Sequence, residues 1–515
     1  MPGPLDSKPM PETSVKPDHV DVLIVGAGLS GIGAAHELRR ELPGKTFAIL
    51  EARGSSGGTW DLFKYPGFRC DTDMQTLGYR TRPWTEDLAV ADGPSVLNYI
   101  RETAREDGTD PHIRFNHKVT DATWSSETAT WTVEATDDEG NAQPPVTCSF
   151  FYMCSGYYRY DEGFSPDFKD SDKFEGPIIH PQKWPEDLDY SGKKVVIIGS
   201  GATAVTLVPA MAETAGHVTM LQRSPSYVLT VPLRDKFANR MRGLVGNRLS
   251  YMLTRWKNIA NTIFIYQFSQ KSPRLAKRLI RHLTASQLPE GYDVDVHFKP
   301  SYDPWDQRLC LVPDGDLFKS ISEGKASIVT DRIERFTKNG VKLESGAELD
   351  GDIFITATGF ILHPFGGIQL NVDGKEIKLP DTFAYKGMML SGIPNFVFTI
   401  GYTNAPWTLK ADLVAGYTCR LLEFMDERGV DKVVPVNDDP SVTRMPILDF
   451  ASGYVQRSIE HFPTAGSRDP WGLSMNYLKD LVTLRHRPIS DPALRFSKVP
   501  DTGAKAPSAA TAGKT

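Results

Sequence analysis

Two glycine-rich runs stand about one domain apart in this chain, and each follows directly on an apolar, β-branched stretch. The first is Gly26-Ala27-Gly28-Leu29-Ser30-Gly31, after Val20-Asp21-Val22-Leu23-Ile24-Val25. The second is Gly199-Ser200-Gly201-Ala202-Thr203-Ala204, after Lys194-Val195-Val196-Ile197-Ile198. In a strand–turn–helix unit the first glycine turns the chain off the strand. The second leaves room for a pyrophosphate, and the third lets the helix pack closely on the sheet. The helix then turns its N-terminal N–H groups and dipole towards the anion. The bare pattern is weak, so context decides. After the first run, residues 32–42 place Ala34, Ala35 and Leu38 on one helical face. A strand over 46–50 then ends in Glu51, twenty residues beyond Gly31. A carboxylate there accepts hydrogen bonds from a ribose. The first run therefore reads as an adenine-dinucleotide site.

The second run differs at its ribose position. The strand His217-Val218-Thr219-Met220-Leu221 leads into Gln222-Arg223-Ser224, with no acid. A carboxylate would repel a 2′-phosphate, whereas Arg223 pairs with one through charge-assisted hydrogen bonds and Ser224 adds another. The second nucleotide is expected to be NADPH. Two dinucleotide folds in one polypeptide usually hold a flavin and a nicotinamide, so FAD is expected at the first. The predicted fold class is α/β, with two Rossmann-like dinucleotide-binding domains and a helical insert in the second.

The chain has 515 residues, enough for two or more domains. Its net charge of −6 argues against broad nucleic-acid binding. Cys70, Cys148, Cys154, Cys310 and Cys419 give neither a disulfide framework nor zinc spacing. No metal is expected, and a reducing, cytoplasmic setting is. Residues 1–18 carry five prolines and no apolar core, so they read as a disordered leader. The Ala/Gly/Pro/Ser/Thr/Lys-rich tail 501–515 reads the same way. No apolar run is long enough to span a bilayer.

The expected division is a first FAD-domain part over 19–158, a linker over 159–189, an NADP domain over 190–351 and a second FAD-domain part over 352–500. Thr130 to Ala135 and Cys148 to Met153 look like strands flanking the acidic turn Asp137-Asp138-Glu139-Gly140. The runs ending in Cys154-Ser155-Gly156 and Ala357-Thr358-Gly359 read as the two crossings between domains. A helical insert is expected over about 233–287. Its Lys271, Arg274, Lys277, Arg278 and Arg281 lie beside Leu275, Leu279, Ile280 and Leu283. A solvated helix face is the commoner meaning of such a run and is the expectation. A peripheral membrane contact is the sharper alternative. Substrate-pocket residues are expected from the insert and from Asn404-Ala405-Pro406-Trp407.

Between the fingerprints lies Phe174-Glu175-Gly176-Pro177-Ile178-Ile179-His180-Pro181-Gln182-Lys183-Trp184-Pro185. It matches F-x-G-x-x-x-H-x-x-x-W-P at every fixed position, through Phe174, Gly176, His180 and Trp184. The pattern resembles the hallmark of type I Baeyer–Villiger flavin monooxygenases. Heteroatom-oxygenating relatives carry a similar motif without the Trp-Pro ending. The likeness covers about residues 20–500 and is nearest the actinobacterial subgroup that contains the ethionamide-activating monooxygenase. Gly57-Gly58-Thr59-Trp60-Asp61 and Tyr65-Pro66-Gly67-Phe68-Arg69-Cys70-Asp71 look like the family's flavin-covering segment. Pro304-Trp305-Asp306-Gln307-Arg308-Leu309 resembles the segment with its active-site arginine. Asp61-Leu62 departs from the Tyr-Trp of many members, so substrates do not transfer from better-known members.

The resemblance implies an enzyme that consumes NADPH and O2 and inserts one oxygen atom beside a ketone carbonyl, through a C4a-peroxyflavin, to give an ester or lactone. Sulfoxidation of thioethers is an expected side activity. It places Arg308 as the catalytic cation and Asp71 as the residue orienting it or the nicotinamide. The FAD set becomes Gly26, Gly28, Ser30, Gly31, Glu51, Thr59, Trp60, Asp61, Leu62, Arg69, Cys70, Asp71 and Val119. The NADP set becomes Gly199, Ser200, Gly201, Ala202, Thr203, Ala204, Val205, Arg223 and Ser224. His180 is expected to act in domain motion rather than acid–base chemistry. Three other readings compete. One is a monooxygenase acting mainly on sulfur or nitrogen. A flavin disulfide reductase needs a paired redox thiol that the lone Cys70 does not provide. The third is a flavoprotein sensor without catalysis.

Overall fold

A computed structural model describes residues 18–307, 309–448 and 452–499. The leader short of residue 18 and the tail from residue 500 lie outside the described residues. Asp18, assigned to the leader, already belongs to the first strand, Asp18–Val25.

That strand is an interior strand of a sheet of nine strands among the described residues. It pairs in parallel with Phe47–Leu50 on one side and Val146–Met153 on the other. Its side chains alternate between two buried cores. Val22 and Ile24 enter one, and Leu23 and Val25 the other. A strand covered on both faces must be apolar, which explains the unbroken run Val22 to Val25 before the first fingerprint. Thr130–Thr136 and Val146–Met153 pair antiparallel, as the acidic turn between them suggested.

The second sheet is parallel throughout, in the order Ala326–Thr330, His217–Gln222, Lys194–Ile198, Ile353–Thr356 and Ile178–Ile179. Two expected boundaries therefore move. Ile353–Thr356, expected to begin the return to the first unit, is an interior strand of the second sheet. Its Ile353, Phe354 and Ile355 are buried there, so the chain leaves only afterwards. Ile178–Ile179, assigned to the linker, pairs with that same strand as an edge strand. The return is completed by Phe396–Phe398, which pairs with Phe151, Tyr152 and Met153 of the first sheet.

The insert forms two helices, Lys236–Lys271 and Pro273–Ala285, within the expected span. The first is broken at Gly246, whose φ of 76° is left-handed and interrupts the helical backbone. It docks on the first unit by burying Tyr251 and Ile259 in that unit's core and through Arg255. Arg255 Nη1 donates to the carbonyls of Gln75, Thr76 and Gly78, while its Nη2 pairs with Asp412 at 3.0 Å. Among the described residues, no helix is long and apolar enough to cross a membrane.

Candidate active site

The two glycine turns face one cleft of about 2600 Å³ between the sheets. Their glycines answer to different neighbours. A Cβ on Gly26 would stand 2.7 Å from the Cys154 carbonyl oxygen, and one on Gly199 would stand 2.3 Å from that of Ala357. The first glycine of each turn is therefore required by the two crossing segments. A Cβ on Gly31 would fall 1.8 Å from the Gly26 oxygen, so the third glycine is required by the first. The middle glycines meet almost nothing. Gly28 would reach only Gly58 Cα at 3.4 Å, and Gly201 has no atom within 4 Å. The space over both is open on the cleft side, as a pyrophosphate needs.

Glu51 stands where the sequence placed it and is 5% exposed. The Ala27 N–H donates to its Oε2 at 2.7 Å and the Arg53 N–H to its Oε1 at 3.0 Å. Burial pushes its carboxyl above the ordinary range, against the pull of these two amides. The carboxylate thus braces the glycine turn while lining the cleft. At the second turn, Ser200 Oγ–H donates to the Ser224 carbonyl at 3.0 Å, tying the turn to the end of its strand. Arg223 is exposed and has no carboxylate partner among the described residues.

Most of the expected FAD set reaches the cleft: Gly26, Gly28, Ser30, Glu51, Thr59, Trp60, Arg69, Cys70, Asp71 and Val119 line it. Three do not. Gly31 is buried beneath the turn. Leu62 packs against the core of the second unit. Asp61 is a buried ion-pair centre, bound by Arg53 and Arg101 at 2.7 Å each and by Ser55 at 2.6 Å. Burial raises its pKa, but the Ser55 hydrogen bond and the charges of Arg53, Lys64 and Arg101 outweigh this and hold it below the ordinary value. Its task is local: Arg53, fixed by Asp61, also donates to the Gly58 carbonyl, and Gly58 lies over Gly28. In the NADP set, Gly199, Ser200, Gly201, Ala202, Thr203, Arg223 and Ser224 line the cleft, while Ala204 and Val205 are buried in the core below.

Arg69 is not a free cation. Its Nη1 pairs with Asp316 of the second unit, and its buried Nη2 has no partner among the described residues. The covering segment sits on that unit as well. A Cβ on Gly67 would touch Ala210 Cβ at 2.7 Å, and Phe63 and Tyr65 belong to the second core. Arg308 lies outside the described residues. Its neighbours Trp305, Gln307 and Leu309 line the cleft, and Trp305 has a φ of 79°. The stretch Asn404-Ala405-Pro406-Trp407 lines the cleft as expected, and the Trp407 indole N–H donates to Ser30 Oγ at 2.7 Å.

The linker motif lies outside the cleft and holds the crossings together. His180 Nδ1 accepts from the Gln182 N–H, which leaves Nε2 as the donor to the Gly359 carbonyl at 3.1 Å. Burial lowers its pKa, so the ring is neutral at pH 7. The ring also packs on Gly163, where a Cβ would lie 1.9 Å away. Phe174 packs edge-on against Phe354, and Gly176 fits under the Asp352 carbonyl. Trp184 covers the second core. Phe174, Gly176, His180 and Trp184 thus secure the linker to the second sheet or its exit.

Sequence reasoning missed Arg457. It comes from the returning part of the chain and lines the cleft, its guanidinium 3.4 Å from the Phe164 ring centre. Burial and the like charge of Arg223 lower its pKa. A lone arginine after Gly453–Gln456 carries no pattern, and only the fold brings it towards Arg223.

The comparisons agree with this architecture. Residues 24–89 match an NAD(P)-binding Rossmann-like domain. The "FAD-containing monooxygenase EthA" of Mycobacterium tuberculosis is 54% identical over 484 residues, 94% of this chain and 99% of the relative. The "Probable FAD-binding monooxygenase AlmA" of Acinetobacter baylyi is 46% identical over 94% of this chain and 97% of its own. An oxidized steroid monooxygenase bound to NADP superposes with a TM-score of 0.69 at 22% identity, covering 82% of this chain and 88% of that one. Cyclohexanone monooxygenase gives 0.69 at 21%, covering 82% and 90%. The FAD and NADP pair read from the two fingerprints accords with these matches. With residues 79–389 matching the flavin-binding monooxygenase-like family, the chain belongs to that family.

Proposed function

We propose that this protein is an NADPH-dependent Baeyer–Villiger monooxygenase with a sulfoxidation side activity. A ketone, O2, NADPH and a proton give an ester or lactone, NADP⁺ and water. The observation that carries the reading is the single cleft joining two glycine turns, each with open space over its middle glycine. Gly28 and Glu51 would hold the pyrophosphate and ribose of FAD, and Gly201 and Arg223 would hold the pyrophosphate and 2′-phosphate of NADPH. Arg457, facing Arg223, adds a second guanidinium for the same anion. When bound, the flavin supplies the activation of O2 by electrons from NADPH.

The chain's own residues position and exclude. Thr59 and Tyr160, their hydroxyls 3.1 Å apart, close one wall of the cleft. Arg69 clamps the covering segment to Asp316 and keeps one N–H free for the cofactor. His180 holds the second crossing in place and moves no proton. Arg308 is the cation for negative charge that develops during oxygen transfer, with Asp71 orienting it or the nicotinamide. A guanidinium suits this because its charge is permanent and its donors are forked.

The test is ester formed per NADPH consumed by yellow holoenzyme, with ketones and thioethers in parallel. Arg308→Ala is expected to keep its flavin, to lose oxygenation by about 10²–10³ and to divert electrons to hydrogen peroxide. Arg308→Lys restores little. An unchanged ratio in the alanine variant removes Arg308 from the reaction. Sulfoxide without ester from the wild type favours the heteroatom reading.

A further inference from the structure

The first insert helix carries large apolar side chains on its solvent side as well as on its packed side. The side towards the first unit mixes Tyr251 and Ile259 with Ser250, Thr254 and Arg255, all buried, and with Asn258, which donates to Asp73. The solvent side carries Leu249, Met252, Leu253, Trp256 and Phe264, spaced as one helical stripe. Trp256 is 46% and Phe264 68% exposed. The break at Gly246 leaves Leu244 and Val245 exposed at a tip. On the second helix, Leu275, Leu279 and Leu283 form an exposed row beside the exposed row Arg274, Arg278 and His282. Grouped large apolar side chains of this kind mark an interaction surface rather than scatter.

Charge indicates what covers it. From Lys236 to Pro289 there are eleven lysines and arginines and no aspartate or glutamate, in a chain of net charge −6. Five of these cations pair with acids outside the stretch: Arg242 with Asp87, Arg255 with Asp412, Lys257 with Asp235, Lys277 with Asp303 and Arg281 with Asp295. Lys236, Arg240, Arg248, Lys271, Arg274 and Arg278 have no carboxylate partner among the described residues. Apolar side chains rimmed by unpaired cations fit the boundary between acyl chains and anionic headgroups.

We propose that the insert docks this protein on an anionic lipid surface. Trp256, Phe264 and the leucine row enter the acyl boundary, and the arginine row meets lipid phosphates. A second copy of the chain fits poorly, because a two-fold interface sets the two arginine rows against each other. The docked face is continuous with the cleft, since exposed Phe237 and Ile265 of the same helix line its mouth. An apolar substrate dissolved in the lipid then reaches the cleft without crossing bulk water.

The experiment is flotation of purified holoenzyme with vesicles of phosphatidylcholine alone or mixed with phosphatidylglycerol. Binding to the mixed vesicles, weakened by salt and much weaker on phosphatidylcholine, is expected. Arg274→Gln and Arg278→Gln each reduce binding to mixed vesicles about fivefold. Phe264→Ser combined with Leu275→Ser reduces it at least about tenfold. Neither residue lies in the cleft, so flavin content and NADPH oxidation in solution stay at wild-type values and report that the variants are folded. Absent flotation, equal flotation on both vesicles, or flotation unmoved by these substitutions overturns the proposal. So does light scattering that shows a wild-type dimer broken by Phe264→Ser with no vesicle binding, which assigns the face to a second copy.

Discussion

The two glycine turns share a sequence pattern but are built to different depths. The first is roofed and braced. Gly58 lies over Gly28, Gly31 is wedged against Gly26, and the buried Glu51 carboxylate grips the Ala27 amide. The second is shallow. Gly201 is exposed with nothing near it, Ala204 replaces the third glycine and Arg223 stands in solvent. On the proposed assignment, the difference suits a resident FAD at the first turn and an exchanging NADPH at the second. A nucleotide that leaves each turnover needs an open site, whereas a roof over the pyrophosphate slows release.

Four experiments break or sharpen this contrast. Gly31→Ala has the largest expected effect, because its Cβ meets a backbone oxygen that has nowhere to move. A loss of roughly 3 kcal/mol or more is expected, read by thermal unfolding and flavin content. A variant as stable as the wild type breaks the account of the first turn. Gly28→Val and Gly201→Val come next: at Gly201 the protein leaves room for the side chain and the ligand does not, while at Gly28 the branches also press on Gly58, whose Cα lies 3.4 Å from a Cβ there. Gly28→Val is expected to fold without colour. Gly201→Val keeps its flavin and loses NADPH reduction. If both variants lose flavin, the two turns are not separate sites.

Arg223→Ala removes one charge-assisted contact, about 1.5–3 kcal/mol, from NADPH and nothing from NADH. The ratio of their Michaelis constants is the readout, and equal changes for the two cofactors refute the assignment. Asp61→Asn has the smallest effect, about 2 kcal/mol at neutral pH, from lost charge-assisted bonds. Because the folded state holds the Asp61 pKa low, its contribution is present above the ordinary carboxylate pKa and lost as pH falls through the depressed value. Wild-type flavin retention therefore weakens in acid more steeply than that of Asp61→Asn, while the Michaelis constant for NADPH is unaffected. Parallel acid profiles for flavin retention in the two proteins refute the bracing role.

The local parts of this protein were legible in its sequence. A buried parallel strand must be apolar, a turn against a phosphate must be glycine, and a ribose site needs a carboxylate or a cation at a set distance. These demands act over a few residues, so Gly26 to Glu51 and Gly199 to Arg223 could be read directly. The linker motif was legible as a pattern but not as a mechanism. His180 acts through the carbonyl of Gly359, distant in sequence, and only folding brings the two together.

Tertiary structure decided the rest, because it depends on which surfaces meet. Asp61 and Arg69 stand in a segment that resembles a flavin cover, yet three cations claim the first and Asp316 of the other unit claims the second. Ile353–Thr356 looked like the start of a return and is an interior strand, since only pairing with Lys194–Ile198 buries its apolar run. The basic insert read as an ordinary solvated face. Arg274, Arg278 and Arg281 do lie exposed, while on the preceding helix packing buries Arg255 among carbonyls and leaves Trp256 and Phe264 outward. A sequence shows that a helix has two faces, and only the neighbours it packs against decide which one is left to water.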